Sequence, residues 1–401
     1  MGWRAIEKVG MKRRLGLQAL AAAGLSTAGV RAQPAGATVE PGSGNSPAWQ
    51  ALSLARRLLE RREEVEQQWP GLMAKLGVPG LALQLIQHGE LSEAWQLGRR
   101  EFGEESSEPV TAGTVFECAS MSKPVFAYLL MQQVQRGRLG LDQPILDFYP
   151  ERFQPPQPAQ ARITARMLLC HRSGLPNWRS GDENSGPLPL KFTPGEGFEY
   201  SGEGYFYLQR ALEHLLGEPL QTTAKRELFA PLGMSSSSFV LTPALEARRA
   251  RGHGEDGQPL PWSRYERANA AYTLHTTAQD YGRFLAALLR PVPTASALLN
   301  EEWRREMLAA QTVASDRQPL ERPGRALDLP GQPAKAYWSL GWILNPMADG
   351  SRVIYHTGTN SSGFRAYCQF NPSQGSGLVF LSNSLNGHQL WQSLIKRWGD
   401  L

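Results

Sequence analysis

The chain carries strand-like segments near both ends and a long helical stretch between them, and this order constrains its fold more than any other feature. Near the amino end, residues 81–87 and 92–97 flank a short turn and predict an antiparallel hairpin. Three more strand-like segments lie near the carboxyl end, at 352–356, 364–370 and 377–382. Strands at both ends predict one antiparallel sheet closed by the two chain ends and flanked by helices.

The middle of the chain is predicted to form a second lobe. Helical segments and irregular loops fill it, without an internal repeat. We therefore predict an α/β domain over 47–401, in which 47–123 and 335–401 form the sheet lobe and 124–334 form an inserted, mostly helical lobe. A small-molecule site is expected in the cleft between the lobes.

Helices are also expected outside that lobe. Apolar residues recur at helical spacing from Leu54 to Trp69, which predicts an amphipathic helix that ends at Pro70. A closing helix is expected from about 389 to 398, and Thr277 is a good candidate for the cap of another helix.

The first 32 residues have the order of a signal peptide. Lys12, Arg13 and Arg14 precede an apolar run at 15–30, and small residues follow where a signal peptidase would cut. The paired arginines also resemble a twin-arginine export signal, and Met11 is an alternative start. We expect 1–32 to be removed on export to the periplasm; a disordered basic tail is the alternative.

Composition narrows the function classes. Residues 33–46 are rich in Pro, Gly, Ala and Ser and predict a flexible linker. The net charge of +5 lies in the signal-like segment, so the remainder is formally neutral. A basic surface for nucleic acid is therefore not expected. The apolar run is also too short and too rich in small residues for a stable membrane span.

Neither a metal nor a cofactor is expected. No pair of histidines has metal-ligand spacing, and the three cysteines, Cys118, Cys170 and Cys368, have none either. Each cysteine is interpreted as a small buried apolar residue. The chain also contains no G-x-S-x-G sequence, which argues against a nucleophile elbow.

Ser120 and Lys123 lie three residues apart where an apolar helical run begins. Positions i and i+3 share one face of a helix, so the lysine could remove the proton of the serine hydroxyl if its amine is neutral. An apolar setting lowers the pKa of lysine and permits that role. The same S-x-x-K spacing recurs at Ser393 and Lys396, but that copy lies in the closing helix and has no supporting partners.

The segment around Ser120, Phe116-Glu117-Cys118-Ala119-Ser120-Met121-Ser122-Lys123-Pro124, resembles the nucleophile segment of the β-lactamase-like serine hydrolases. That family includes class C β-lactamases, D-alanyl-D-alanine carboxypeptidases and certain esterases. The resemblance continues at His171-Arg172-Ser173-Gly174-Leu175-Pro176, where His171 is expected to be structural. It implies that Ser120 is the nucleophile and Lys123 its general base.

Two further segments resemble motifs of this family. Tyr200 stands where the family has a tyrosine that relays the nucleophile's proton, but Gly202 replaces the asparagine whose amide helps to hold substrate. His356-Thr357-Gly358 resembles the third motif, which begins with lysine or histidine. The resemblance implies that His356 supports the tyrosine and lysine network or holds the acidic end of a substrate. It also implies an oxyanion hole from the backbone N–H groups of Ser120 and Thr359, while Gly358 leaves room for substrate along the strand edge.

These features predict a serine hydrolase that forms an acyl-enzyme on Ser120 from a small-molecule ester, a β-lactam or a peptidoglycan-type peptide. Esterase or carboxypeptidase activity is favoured over efficient β-lactamase activity because Gly202 lacks the amide. A slowly acylating sensor or scaffold and a true class C-like β-lactamase remain open as alternatives. The residues alone do not choose the substrate, because small differences in cleft shape set that preference.

Overall fold

The computed structural model describes residues 54–102, 108–180, 186–291, 298–313, 336–347 and 350–398. The predicted signal peptide at 1–32 and linker at 33–46 lie outside these residues. Within the described ranges the helices are α1 Leu54–Glu60, α2 Arg62–Leu76, α3 Ser122–Gln135, α4 Ala165–Leu169, α5 Gly202–Leu216, α6 Leu220–Ala224, α7 Pro243–Glu246, α8 Ala278–Leu289, α9 Glu301–Met307 and α10 Gly387–Trp398.

The strands are β1 Gly80–Gln87, β2 Glu90–Gly98, β3 Phe116–Glu117, β4 His275–Thr276, β5 Thr312–Val313, β6 Tyr337–Trp338, β7 Ile343–Pro346, β8 Arg352–Thr359, β9 Arg365–Asn371 and β10 Ser376–Ser382. Eight of them form one antiparallel sheet in the order β2-β1-β10-β9-β8-β7-β6-β5, and β3 pairs separately with β4. The first and last strands are neighbours, since Leu81 lies opposite Ser382. The prediction of one sheet closed by both chain ends is therefore confirmed.

The predicted hairpin is β1 and β2. Its turn contains His88 and Gly89, which both have positive φ, at 52° and 73°. Two consecutive residues of positive φ match the right-handed twist of the flanking strands, which is why a two-residue connection suffices here.

The sheet carries helices on both faces. Tyr367 on β9 stacks on Trp391 of α10, with ring centroids 4.5 Å apart. Its neighbour Cys368 instead faces Tyr281 of α8. Since consecutive strand residues point to opposite faces, α8 and α10 lie on opposite sides of the sheet. Both faces of β9 and β10 are accordingly buried.

The sequence prediction for the first helix was wrong at its end. The amphipathic pattern divides into α1 and α2 at Arg61, and α2 passes through Pro70 to Leu76. A proline removes one helical hydrogen bond, but Pro70 lies on the exposed side, where water can satisfy the freed carbonyl. Val65 and Trp69 bury the opposite face as predicted.

Two elements within the predicted helical lobe, residues 124–334, belong to the sheet lobe instead. α8 packs on β1, β2 and β10, and β5 pairs with β6 at the far edge of the sheet. Thr277 caps α8 as predicted, since its side chain accepts a hydrogen bond from Asp280 N. The sequence pattern gave no signal for β5, a strand of two residues.

The cysteines agree with their interpretation as small buried residues. All three cysteines are free and buried. Among the described residues, no helix is long and apolar enough to cross a membrane, and no cluster of side chains is suited to a metal ion.

Candidate active site

Ser120 lies in a 3₁₀ turn, Ala119–Met121, between β3 and α3. Ala119 holds the turn in a left-handed conformation with φ 47°, which costs energy for a residue with a side chain. The Ser122 hydroxyl stabilises it by donating to the Ala119 carbonyl at 2.6 Å and accepting from Leu274 N at 2.9 Å. This local structure leaves Ser120 half-buried while its neighbours Ala119 and Met121 are fully buried.

Lys123 is in the first turn of α3, and its Nζ lies 3.2 Å from Ser120 Oγ. The i and i+3 relation thus brings the two groups together as their spacing predicts. The lysine is only 1% exposed, and this burial lowers its pKa from 10.5 to about 7. A substantial fraction of the amine is therefore neutral near pH 7 and can accept the serine proton.

Other groups fix the amine in place. Lys123 Nζ also lies 2.9 Å from the Ala271 carbonyl, and it sits over the rings of Tyr200 and Tyr205, at 4.7 and 5.7 Å from their centroids. The aromatic faces attract the ammonium form, whereas burial disfavours it. Burial lowers the pKa of Lys123.

The loop that carries Tyr200 is attached to His171. Ser201 N donates to His171 Nδ1 at 3.0 Å, and Glu199 N donates to the His171 carbonyl at 2.9 Å. The rings of His171 and Tyr200 lie against each other, with centroids 4.5 Å apart. His171 is fully buried and has a φ of 60°, so its contacts are those of a residue that shapes the loop.

The Tyr200 hydroxyl points toward the serine. It is buried and makes no hydrogen bond of regular geometry to a described residue. Burial raises the pKa of Tyr200, and the nearby Ser120 hydroxyl offsets part of that rise. The phenol is therefore protonated at neutral pH, and it can pass a proton to or from Ser120 without holding a permanent charge.

His356 on β8 is fully buried, and burial lowers its pKa to about 3, with the Lys123 ammonium as a further cause. Its Nδ1 lies 2.7 Å from the Thr357 carbonyl, so Nδ1 carries the proton of the neutral ring. A neutral ring without exposed surface cannot hold the acidic end of a substrate in the cleft. Of the two roles that the resemblance implied, support of the lysine and tyrosine network fits this position.

The sequence pattern missed Trp338 on β6. Its ring packs edge-on against both histidines, with centroids 4.5 Å from His171 and 5.8 Å from His356, and it also contacts Tyr200. Trp338 therefore joins the loop of Tyr200 to the third motif. The sequence analysis could not identify Trp338, because it lies far from His171 along the chain and no spacing rule connects the two residues.

The third motif lies at an open end of its strand. Residues 356–359 pair with β9 on one side, while the pairing with β7 on the other side ends at Tyr355. A Cβ on Gly358 would lie 2.2 Å from the Cys118 carbonyl oxygen. The close approach of the nucleophile segment thus requires this glycine, whether or not substrate is bound. Thr357 is buried and Thr359 is exposed at the strand end.

At Gly202 a tryptophan takes up the space of a side chain. A Cβ built on Gly202 would lie 2.5 Å from both Cζ2 and Cη2 of Trp178. Gly202 N donates to Asn177 Oδ1 at 2.9 Å, so an amide is present near this position, but it is turned to the backbone. The sequence showed that the asparagine is missing, but it could not show that Trp178 occupies the space beside Gly202.

The second S-x-x-K copy is remote from this constellation in the fold. Ser393 lies on α10, and its hydroxyl donates to the Leu390 carbonyl of the same helix at 2.8 Å. This is the usual way in which a serine inside a helix satisfies its hydroxyl.

A half-buried serine beside a buried lysine of lowered pKa is an arrangement typical of serine hydrolases. The chain belongs to the beta-lactamase family, whose model matches residues 65–399. The resemblance seen in the sequence motifs is thereby confirmed.

Two curated relatives cover different shares of the chain. Esterase EstB of Burkholderia gladioli is 32% identical over 211 residues, which are 45% of this chain and 52% of that protein. This match thus spans about half the length of EstB. Penicillin-binding protein 4 of Amycolatopsis lactamdurans is 27% identical over 335 residues, which are 79% of this chain and 84% of that protein.

Solved structures share the fold. The D-alanine carboxypeptidase AmpC from Burkholderia cenocepacia matches with a TM-score of 0.67 at 21% identity, over 85% of this chain and 99% of that chain. A class C beta-lactamase matches with a TM-score of 0.65 at 20% identity, over 84% and 95% of the two chains. The predicted β-lactamase/transpeptidase-like fold is confirmed.

Proposed function

We propose that this protein hydrolyses carboxylic esters through an acyl-enzyme on Ser120, with Lys123 as general base and Tyr200 as proton relay. The observation that carries the proposal is the 3.2 Å distance between Lys123 Nζ and Ser120 Oγ, together with the burial of the amine. The family and its esterase relative support the same class of reaction.

In the first half of the reaction, Ser120 Oγ attacks the carbonyl carbon of the ester while its proton passes to the neutral Lys123 amine. The negative charge that develops on the carbonyl oxygen is stabilised by the backbone N–H groups of Ser120 and Thr359, as the family pattern implies. Collapse of this intermediate breaks the bond to the alcohol oxygen. The leaving alkoxide takes the proton back from Lys123, directly or through the Tyr200 hydroxyl, and departs as an alcohol.

In the second half, water attacks the acyl carbon. Lys123, neutral again, accepts a proton of that water by the same path, and a second tetrahedral intermediate forms. Its collapse breaks the bond to Ser120 Oγ, which recovers its proton, and the carboxylic acid leaves.

Gly202 and Trp178 support an ester rather than an amide as substrate. An amide substrate gains from a side-chain amide at position 202, and the space for one is filled by the indole. A missing hydrogen bond to a neutral group lowers acylation by about tenfold. An activated ester needs that bond less, because its carbonyl is more electrophilic and its leaving group better.

The test is covalent labelling and turnover. We expect a fluorophosphonate to label Ser120 and a p-nitrophenyl ester to be hydrolysed, and Ser120→Ala to abolish both. Ser393→Ala, at the matched S-x-x-K serine of α10, should change neither. Lys123→Ala should slow acylation by several orders of magnitude, since the serine then has no base. Full ester turnover by Ser120→Ala would refute the proposal.

Mass spectrometry of the protein after incubation with an ester, a β-lactam and a D-alanyl peptide distinguishes the alternatives. Transient acylation by the ester with fast release is the expected result. An acyl group that stays on Ser120 would instead favour a slowly acylating sensor or scaffold. Rapid turnover of the β-lactam, well above that of the ester, would favour a β-lactamase.

We also propose that the protein is exported to the periplasm after removal of 1–32. The basic, apolar and small-residue order of that segment supports this. Amino-terminal sequencing of the periplasmic fraction should begin near Gln33. An intact chain found only in the cytoplasm would overturn the proposal.

A further inference from the structure

The position next to Tyr200 that a side chain would take is filled by Trp178. Its indole atoms Cζ2 and Cη2 would lie 2.5 Å, and Cε2 3.0 Å, from a Cβ on Gly202. Real Cβ atoms do not approach other atoms so closely. Gly202 and Trp178 are therefore a matched pair, in which the absence of one side chain permits the other.

The segment around Trp178 is held on both sides by α5. Before it, Asn177 accepts hydrogen bonds from Gly202 N and Glu203 N. After it, the Arg179 guanidinium forms hydrogen bonds to both carboxylate oxygens of Glu203, with side chains only 5% and 1% exposed. A buried bidentate pair of this kind fixes backbone position more firmly than a surface contact does.

Trp178 itself stays open to solvent although its neighbours are fixed. It is 44% exposed, one of the few large apolar side chains with so much exposed surface among the described residues. Its ring packs edge-on against Tyr272 at 5.5 Å, and Tyr272 packs in turn against Tyr265 at 5.5 Å. We call Trp178, Tyr272 and Tyr265 the aromatic wall.

The aromatic wall adjoins the reacting groups at two points. Tyr272 directly follows Ala271, whose carbonyl lies 2.9 Å from Lys123 Nζ. Trp178 lies against Gly202, two residues after Tyr200, and two residues span at most about 7 Å. The wall is therefore carried by the two segments that contact Lys123 and bear Tyr200.

We propose that the aromatic wall binds a flat apolar group, such as an aryl ring, beside the scissile ester bond, and that Trp178 sets this preference. The inference rests on the proposed ester hydrolysis at Ser120. An exposed, fixed indole offers an apolar face and edge-to-face ring contacts, where an asparagine would offer hydrogen bonds. The wall thus exchanges recognition of a polar amide for recognition of an aromatic ring.

The experiment compares kcat/KM for two pairs of esters that differ by one aryl ring. One pair varies the acyl side, p-nitrophenyl phenylacetate against p-nitrophenyl acetate, and the other varies the alcohol side, benzyl acetate against ethyl acetate. We expect the wild type to prefer the aryl ester in at least one pair by about tenfold, and Trp178→Ala to remove that preference. Trp178→Phe should retain most of it.

Trp303 provides the matched control. It is half-buried on α9, where Asn300 N donates to Gln135 at the carboxyl end of α3, about 20 Å along that helix from Ser120. Trp303→Ala should leave the ester preference unchanged. An unchanged preference in Trp178→Ala, with ester turnover retained, would overturn the inference and leave the proposed function intact.

A second pair of variants tests the steric match between Gly202 and Trp178 by a measurement that does not depend on ester preference. Gly202→Asn should lower the melting temperature, because its Cβ overlaps Trp178, and Trp178→Gly in the same chain should restore it. The double variant should also gain acylation by a penicillin relative to the single variant Trp178→Gly. If Gly202→Asn alone keeps the wild-type melting temperature, the indole does not fill this space. A wild type that is neither labelled at Ser120 nor active on any of the four esters would refute the proposed function and this inference together.

Discussion

Replacing Lys123 by methionine tests whether the amine is neutral in the folded protein. Methionine keeps an unbranched apolar chain and removes only the group that titrates. The pKa of Lys123 is about 7 in the folded state and 10.5 when exposed. Between these values the unfolded chain holds a proton that the folded protein has released, so the free energy of unfolding of the wild type rises with pH.

The magnitude follows from the two pKa values. One unit of pKa difference corresponds to about 1.4 kcal/mol, so the wild type should gain about 2 kcal/mol of stability between pH 7 and pH 9 from this group alone. Below pH 7 the lysine is protonated in both states, and the contribution no longer changes. Lys123→Met lacks this contribution at every pH.

Urea unfolding of both proteins at pH 7 and pH 9 measures the effect. Other titrating groups cancel in the difference between variant and wild type, and that difference should change by about 2 kcal/mol in favour of the wild type at pH 9. Lys75→Met, at an exposed lysine of α2, should follow the pH dependence of the wild type. For ester hydrolysis, kcat/KM of the wild type should rise with pH through about 7 as the base loses its proton. If the difference in free energy of unfolding between Lys123→Met and the wild type is the same at pH 7 and pH 9, the lowered pKa of Lys123 is refuted.

Three other perturbations have expected outcomes. Tyr200→Phe should lower kcat for esters by about 100-fold or more while Ser120 is still labelled, because the proton relay is lost but the base remains; an unchanged kcat would exclude the relay. Gly358→Ala should destabilise the protein by about 1–3 kcal/mol in urea, since the new methyl overlaps the Cys118 carbonyl, and wild-type stability would mean that the backbone can yield. Arg179→Leu should cost about 3–5 kcal/mol, because it leaves the Glu203 carboxylate buried without its partner, and a loss below 1 kcal/mol would contradict that account.

Local sequence was sufficient to predict a feature when all its interacting residues lie within one element or one turn. The hairpin follows from two strand-like segments and a short turn between them, which His88 and Gly89 close with positive φ. The approach of Lys123 to Ser120 follows from helical spacing, and the cap at Thr277 from a hydroxyl before a helix. In each case the interacting groups lie within a few residues, so no knowledge of packing is required.

Local sequence was insufficient to predict an element when solvent exposure or residues far along the chain determine whether that element forms. The path of α2 through Pro70 depends on that residue facing water, which the apolar pattern alone did not show. The two-residue strand β5 exists because β6 offers it backbone partners. Such short strands have too few residues to show an alternating pattern of their own.

The chemistry of the site divides in the same way. The sequence by itself determined which residues are proposed as nucleophile, base and relay, and that residue 202 has no side chain. Only the tertiary structure decided that Lys123 is 1% exposed, since burial requires chain segments far apart in sequence to close over one amine. Likewise, only packing brought Trp178 onto Gly202 and Trp338 between His171 and His356. Spacing along the chain fixes neighbours within one element, whereas pKa and pocket shape arise from atoms that the fold brings together across elements.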